Sequence, residues 1–264
     1  MLDNKLDKLK DILKSLDSVV IAFSGGVDST LLSKVAYEVL GDKSLAVTAK
    51  SETYTKSELE DAIELAKKIG IKHEVIETSE LDIPEFSHNP VDRCYYCKKE
   101  LLTKLKEFAK SNGFKNVVDG ANVDDVGDYR PGMRAVAELN VRSPLKEAQL
   151  TKAEIRELSK HYGLPSWDKP SAACLASRFP YGTEITAERL DTVGDAEAFI
   201  KSFGIIQLRV RYHDQIARIE VSEKDMENLL KNRDQIVKKL KEFGFSYVTM
   251  DLQGYRTGSM NEVL

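Results

Sequence analysis

The sequence predicts an α/β protein whose main domain is a doubly wound, mostly parallel sheet, with a smaller α+β domain after it. Through the first 180 residues, short apolar runs alternate with segments of helical periodicity, which is typical of strands joined by helical crossovers. A glycine-rich turn of residues 24–29, named the glycine loop below, connects the first apolar run to a helical segment. After Pro180 the strands become closely spaced, so we expect two domains, residues 1–180 and 181–264.

The elements of the first domain follow from the spacing of its apolar residues. Leucines at intervals of three and four from Leu2 to Leu16 predict an amphipathic N-terminal helix. Capping boxes that begin at Thr55 and Thr151 mark two helix starts. We expect parallel strands with right-handed crossovers at 19–23, 45–48, 73–76 and 116–118, and helices directly after the glycine loop and at 56–68 and 98–110.

The second domain has a different order of elements. A long helical segment comes first, and two strands separated by a turn at His213-Asp214 come next. A second helix and a last strand complete the domain. The predicted bounds are a helix at 187–203, strands at 207–211 and 216–221, a helix at 223–243 and a strand at 247–252.

Composition and charge restrict the class of protein. The chain has 264 residues, 42% hydrophobic and 31% charged, and contains no apolar run of the roughly 20 residues that a membrane span needs. We therefore expect a cytoplasmic protein without a membrane partner. Its net charge of −4 favours a small-molecule substrate over a nucleic acid, because nucleic-acid-binding proteins usually carry a basic surface.

The glycine loop has the residues of a phosphate-binding turn. Gly25 and Gly26 let the backbone approach an anion, and free amides at a helix N-terminus favour negative charge. Ser24 and Ser29 add hydroxyl donors. Asp28 would repel a bare phosphate, so we expect Mg²⁺ to bridge its carboxylate and the phosphate oxygens. The loop lacks the Gly-Lys-Ser/Thr ending of a Walker A motif.

Three cysteines form the second group of candidate functional residues. Cys94 and Cys97 are three positions apart, and Cys174 lies in a run of small residues bounded by prolines. An odd number of cysteines disfavours a disulfide framework. Three thiolates suit an iron–sulfur cluster with one open iron, and the same three with His88 suit structural zinc. Unrelated core thiols are the third alternative.

Three arginines, one beside the predicted domain boundary and two in the second domain, are candidate anion ligands. Arg209 and Arg211 are two apart in a strand pattern, so their guanidinium groups share one face. Two adjacent cations repel each other unless an anion neutralises them, which points to a phosphate or carboxylate ligand. The alternative is a charged surface neutralised by Asp214 and Glu220. Arg178 could bind phosphate or act on the nearby Cys174 thiol, and the alternative for it is a surface or interface cation.

A cluster of aspartates lies in the second half of the first domain. Asp124, Asp125 and Asp128 are close enough in sequence to share a cation. Aspartate is also a common turn residue, because its side chain accepts hydrogen bonds from the nearby backbone. Magnesium coordination and turn formation are therefore both open for this cluster.

The glycine loop, Ser24-Gly25-Gly26-Val27-Asp28-Ser29, resembles the PP-loop of the N-type ATP pyrophosphatases, which bind ATP, release pyrophosphate and adenylate a carboxylate, carbonyl or amide oxygen. Further segments resemble the LarE family, and this likeness covers nearly the whole chain. The segments are Asp128-Tyr129-Arg130-Pro131-Gly132, Ser177-Arg178-Phe179-Pro180-Tyr181-Gly182, Arg209-Val210-Arg211-Tyr212-His213 and Asp251-Leu252-Gln253-Gly254-Tyr255-Arg256-Thr257-Gly258.

The resemblance implies an ATP-dependent sulfur transferase of nickel-pincer nucleotide synthesis, which makes the cofactor of lactate racemase. Its substrate is pyridinium-3,5-biscarboxylic acid mononucleotide, whose carboxylates are adenylated and converted to thiocarboxylates. One branch of the family consumes the sulfur of a cysteine that matches Cys174, leaving dehydroalanine. Cys94 and Cys97 match a branch thought to hold a [4Fe-4S] cluster on three cysteines and to transfer a sulfide, whose donor the sequence does not identify.

The resemblance also implies roles for single residues. Lys98 is the candidate for stabilising the adenylate, and Arg178, Arg209 and Arg211 are the candidates for holding the mononucleotide phosphate. The family is hexameric, so a homo-oligomer is expected. Rival interpretations are a tRNA thiolase with the same loop and three cysteines, and an amidating synthetase whose cysteines bind zinc.

Overall fold

The computed structural model describes residues 2–126, 131–170, 173–256 and 258–263. The chain divides into two compact units, Met1–Glu80 with Asp92–Ala172 and Leu81–Val91 with Ala173–Leu264. Of the segments that resemble the LarE family, residues 128–130 and Thr257 lie outside the described part of the chain. No described helix combines the length and apolarity that crossing a bilayer requires.

In the described residues, helices separate the successive strands of the first unit, whereas two strands of the second unit follow each other directly. The strands are β1 Val19–Ala22, β2 Ser44–Lys50, β3 Lys72–Glu77, β4 Asn116–Val118, β5 Leu208–His213, β6 Ile216–Val221 and β7 Tyr247–Met250. The helices are α1 Leu2–Ser15, α2 Val27–Leu40, α3 Lys56–Ile69, α4 Pro84–Ser87, α5 Arg93–Ser111, α6 Gly132–Glu138, α7 Pro144–Glu147, α8 Lys152–His161, α9 Ala187–Lys201, α10 Met226–Lys231 and α11 Arg233–Glu242.

The sheet of the first unit is parallel, which confirms the predicted α/β class. In the described residues its strand order is β3-β2-β1-β4. Because side chains alternate across a strand, Val19 and Ile21 enter one apolar cluster and Val20 enters another on the opposite face. Leu31 of α2 packs in the first cluster and Leu102 of α5 in the second, so helices cover both faces.

Both predicted capping boxes are present and confirm two helix starts. The hydroxyl of Thr55 accepts from the Glu58 backbone, and Thr151 makes the same contact with Glu154. Helix α5, in contrast, begins at Arg93, five residues before the predicted start. The helical repeat of buried side chains extends back to Tyr95, and the earlier start places Cys94 and Cys97 in the first turns of this helix.

The second unit contains the predicted small α+β arrangement. Strands β5 and β6 are antiparallel, and β7 joins β6 in parallel. The predicted helix at 223–243 is interrupted at Asn232, whose side chain donates to the backbone of Asn228 and separates α10 from α11. Residues 81–91 belong to this unit because the Asn89 side chain donates to the carbonyl of Pro180 at 2.7 Å.

Candidate active site

The glycine loop lies where the parallel strand β1 ends and α2 begins. Gly25 has a φ of +65°, and a Cβ atom there would lie 3.2 Å from the Cα atom of Ala62 on α3. Both the dihedral and the close helix require glycine. Gly26 is the N-cap of α2 without a side-chain cap, so the amides at this helix N-terminus are suited to binding an anion.

Hydroxyl groups hold the shape of the glycine loop. The Oγ atoms of Ser24 and Ser29 lie 3.2 Å apart, and the Ser29 hydroxyl donates to the carbonyl of Gly26 at 3.2 Å. From outside the loop, the Tyr54 hydroxyl donates to the carbonyl of Ser24 at 2.8 Å. Burial, with smaller effects from nearby carboxylates, raises the pKa of Tyr54, so this phenol stays protonated and remains a donor.

The charge of Asp28 is balanced inside the protein. One carboxylate oxygen contacts the ammonium group of Lys152, and the other accepts from Asn122 Nδ2 at 3.1 Å. Lys152 is the first residue of α8, and its backbone amide donates to Asp124 Oδ2 at 2.7 Å. We did not identify Lys152 or Asn122 from the sequence, although the capping box at Thr151 indicates that a helix starts there.

The aspartates after β4 form a turn. Asp125 Oδ2 accepts from the backbone of Asn122 at 2.9 Å, and Asp124 accepts from the start of α8. These contacts agree with the turn-forming alternative for both residues. Asp128, the third member of the predicted cluster, lies outside the described residues.

Lys98 lies on α5 beside a buried carboxylate that the sequence did not single out. Its Nζ atom is 3.0 Å from Oδ2 of Asp119, which directly follows β4. The Asp119 side chain is only 3% exposed, whereas that of Lys98 is 28% exposed. A cation held at the carboxyl end of a parallel sheet lies where ligands of such folds bind.

The three cysteines are divided between the units. Cys94 and Cys97 belong to the first unit, where their spacing on α5 places both thiols on one side of the helix. Cys174 belongs to the second unit, where it is exposed and precedes a short 3₁₀ turn, Leu175–Arg178. His88, the candidate fourth zinc ligand, is also in the second unit.

Neither a metal group nor a disulfide is assembled from these residues. Among the described side chains, no three histidine, cysteine, aspartate or glutamate residues are gathered closely enough to hold a metal ion. Within the described residues, none of the three cysteines forms a disulfide. Two thiols are half of the four ligands that a structural zinc site or a cubane cluster usually has, so metal binding by Cys94 and Cys97 stays a prediction.

Arg178 holds the backbone around Cys174. Its guanidinium group binds the buried Glu197 through Nε at 2.9 Å and Nη2 at 3.0 Å, and Nη1 donates to the carbonyl of Cys174 at 2.8 Å. Burial opposes ionisation of Glu197, but the charge and hydrogen bonds of Arg178 outweigh it and, with the amide of Val210, lower the pKa of Glu197.

The two strand arginines have different surroundings. Arg211 is buried and its Nη2 atom lies 2.6 Å from Glu220 Oε2, so it pairs with one of the two expected carboxylates, but in the interior rather than on a charged surface. Arg209 is partly buried, and its guanidinium group lies 5.1 Å from the ring centroid of Tyr255. Burial and then the charge of Arg178 lower the pKa of Arg209, so these arginines lie within electrostatic range of one another.

The parallel sheet, the glycine loop at the end of β1 and the acidic residue within that loop define an ATP-using enzyme of the PP-loop class. The family model for NAD synthase matches residues 2–93, which include the loop. The chain belongs to the LarE family within this class. It is 41% identical to pyridinium-3,5-bisthiocarboxylic acid mononucleotide synthase of Lactiplantibacillus plantarum, over 96% of this chain and 92% of that protein.

Two further relatives match along at least 96% of this chain. A protein of Synechocystis, slr1717, is 47% identical over 100% of this chain and 99% of its own length. A protein of Methanocaldococcus jannaschii, MJ0830, is 36% identical over 96% of this chain and 98% of its own length. Similarity to these relatives therefore includes both compact units.

Proposed function

We propose that this chain is an ATP-dependent sulfur transferase that converts the carboxylates of pyridinium-3,5-biscarboxylic acid mononucleotide to thiocarboxylates. The observation that carries the proposal is the glycine loop, with its acidic residue, in a chain similar throughout to the Lactiplantibacillus synthase. The bisthiocarboxylic acid product would serve nickel-pincer cofactor synthesis for lactate racemase.

The first step would activate a carboxylate, because a carboxylate is a poor electrophile. A substrate carboxylate oxygen attacks the α-phosphorus of ATP, the bond from that phosphorus to the bridging oxygen breaks, and pyrophosphate leaves. Amides and hydroxyls of the glycine loop would bind the departing pyrophosphate. Asp28 would bind Mg²⁺, which neutralises phosphate oxygens; its two oxygens have four lone-pair sites, of which the contacts with Lys152 and Asn122 use only some.

Lys98 would stabilise the charge that develops during adenylation. Its ammonium group is partly exposed and is held by Asp119 at 3.0 Å, so it can meet a ligand with little loss of side-chain freedom. Preorganised cations of this kind lower the energy of a transition state more than that of the ground state.

The sulfur has two proposed sources. In the first, Cys174 attacks the adenylated carboxyl carbon, AMP leaves, and a thioester forms. Loss of the Cys174 α-proton to a base then breaks its Cβ–Sγ bond, leaving dehydroalanine on the protein and the thiocarboxylate on the product. In the second, Cys94, Cys97 and Cys174 would hold a [4Fe-4S] cluster, which when bound would supply a replaceable sulfide.

The phosphate of the mononucleotide would bind in the second unit. Arg209 is one candidate, and its Nη1 atom also donates to the Leu208 carbonyl at 2.7 Å, whereas Arg178 and Arg211 bind Glu197 and Glu220. Arg178 and Arg211 remain candidates, since each guanidinium group has five N–H donors and can contact more than one anion. Substitution of Arg209 by Ala is expected to raise KM for the mononucleotide more than KM for ATP.

The decisive experiment combines product analysis with analysis of the protein. Protein purified without oxygen is analysed for iron, zinc and sulfide, then incubated with ATP, Mg²⁺ and the biscarboxylic acid mononucleotide. The expected results are pyrophosphate, AMP and a product whose mass is greater by the difference between sulfur and oxygen for each oxygen replaced. Loss of the Cys174 sulfur identifies the first source, and an intact Cys174 with iron present identifies the second.

Other outcomes would replace parts of the proposal. Zinc in a colourless protein would favour structural cysteines in an amidating synthetase. Tight binding of bulk tRNA at physiological salt would favour a tRNA thiolase, which the net charge of −4 disfavours. The homo-oligomer expected from the family stays a prediction, and light scattering tests it.

A further inference from the structure

A buried carboxylate controls the position of the candidate catalytic lysine. Asp119 is 2% exposed, and its Oδ2 atom lies 3.0 Å from Lys98 Nζ. Its Oδ1 atom accepts from the Ser143 hydroxyl at 2.7 Å and from the Ala121 backbone at 3.3 Å. Donors on both oxygens leave the carboxylate little rotational freedom, and the carboxylate in turn restricts the ammonium group.

The residue after Asp119 touches the glycine loop. A Cβ atom at Gly120 would lie 3.1 Å from the backbone nitrogen of Ser29 and 3.4 Å from Cβ of Asp28. Such a close backbone approach means that Asp119 cannot shift without moving the first turn of α2. The distance from this carboxylate to the loop is therefore set by backbone packing.

The hydrocarbon part of Lys98 is also confined. A Cβ atom at Gly132 of α6 would lie 3.4 Å from Cβ and 3.6 Å from Cγ of Lys98. Glycine at this position leaves room for the lysine to extend along α6. The two ends of the side chain are thus restrained, one by helix packing and the other by Asp119.

We propose that Asp119 is a positioning residue, which holds the Lys98 ammonium group at a set distance from the glycine loop. Through that contact the lysine meets the charge that develops when the carboxylate attacks ATP. This inference rests on the proposed function. It assigns to Asp119 an effect on the rate of adenylation rather than on nucleotide affinity, since the carboxylate itself is too buried to touch a ligand.

The test is a double-mutant cycle with Asp119→Asn and Lys98→Met, measured as pyrophosphate release with the biscarboxylic acid mononucleotide. Asparagine keeps the shape and the acceptor for Ser143 but removes the charge. Asp119→Asn is expected to lower kcat about 10- to 100-fold, as for a misplaced catalytic group, with ATP affinity within about twofold. In the Lys98→Met background, Asp119→Asn should lower kcat by less than about threefold, because the effect of Asp119 on the rate acts through the lysine.

Two further variants keep the test interpretable. Asp17→Asn removes a surface carboxylate that pairs with Lys43 and Lys115, and should leave kcat unchanged. Ser143→Ala removes one donor to Asp119 and is expected to lower kcat less than Asp119→Asn does. If Asp119→Asn fails to fold, Ser143→Ala measured alone and with Lys98→Met completes the same cycle.

A second readout does not depend on turnover. Brief acetylation of the whole protein with acetic anhydride, followed by peptide mass spectrometry, gives the reactivity of Lys98 relative to the exposed Lys110. Asp119→Asn should increase that ratio severalfold, since the carboxylate no longer covers the amine. An unchanged ratio, or equal losses of kcat in both lysine backgrounds, would overturn the positioning role. A wild-type protein that releases no pyrophosphate would instead count against the proposed function.

Discussion

The Lys152 ammonium group contacts the carboxylate of Asp28, which lies 124 positions earlier in the chain. Asn122 binds the other oxygen of that carboxylate, so the acidic residue of the glycine loop has two partners from later segments. The loop therefore presents backbone amides and a neutralised acid rather than a bare negative charge. This arrangement suits the binding of a metal-bound polyphosphate.

Substitution of Lys152 by Gln should weaken the binding of Mg·ATP about tenfold, because the Asp28 carboxylate of the glycine loop would lose its cation and repel the polyphosphate. Isothermal titration calorimetry with a non-hydrolysable ATP analogue measures this affinity. The matched control is Lys5→Gln. This change removes the 2.7 Å ion pair between Lys5 of α1 and Glu154 of α8, the helix that also contains Lys152. Equal affinities in the two variants would show that Lys152 does not contribute to nucleotide binding.

Substitution of Gly25 by Ala should abolish measurable ATP binding. Its positive φ costs about 1–2 kcal/mol for alanine, and the added methyl group would meet Ala62 at 3.2 Å. Gly113→Ala is the control, because it has a φ of +75° and open space around the Cβ position. Thermal unfolding should report a loss of stability in both variants, whereas calorimetry should report lost nucleotide binding only in Gly25→Ala.

Replacing Arg178 by Met should destabilise the second unit by about 3–5 kcal/mol, because Glu197 would remain buried without its cation. Arg142→Met, which breaks a partly exposed pair with Glu147, should cost about 1 kcal/mol or less. Urea unfolding monitored by circular dichroism compares the two. Similar losses would mean that the Arg178 pair is no more important than a surface pair.

The Arg178–Glu197 pair should also have a defined pH dependence. The pKa of Glu197 is lowered in the folded protein, so its contribution is present above the unfolded value of about 4.3 and is lost as pH falls through the folded pKa. The stability difference between wild type and Arg178→Met should therefore shrink as pH falls below about 5. A constant difference from pH 7 to pH 4 would contradict this assignment.

The cysteine variants separate the two sulfur sources. Cys174→Ser should stop sulfur transfer by either route while leaving substrate-dependent pyrophosphate release. Cys94→Ser should leave one round of transfer intact if Cys174 donates its own sulfur, and should abolish transfer if a three-cysteine cluster supplies sulfide. Product per protein chain, measured by mass spectrometry, distinguishes these outcomes. Full multiple turnover by Cys94→Ser would contradict both.

Local sequence patterns were sufficient to predict the main helices and strands and the glycine loop. The strand at Val19–Ala22, the capping box at Thr55 and the turn that contains Gly25 depend on residues within a few positions of one another. Their signals are periodicity, a side chain that caps a helix, and a backbone conformation that favours glycine. The early start of α5 was missed because Arg93 to Cys97 contains polar residues that obscure the helical repeat.

The sequence by itself therefore determined the parallel α/β class, the anion-binding loop and the family resemblance. Only the tertiary structure decided which lysine meets Asp28, that Lys98 is held by Asp119, and that Arg178 is neutralised by Glu197. The physical reason is that ion pairing has no sequence period: any of the 39 lysines and arginines could pair with any of the 43 acidic residues until the backbone is folded. Burial then selects the partners, because a charge removed from water must be compensated nearby.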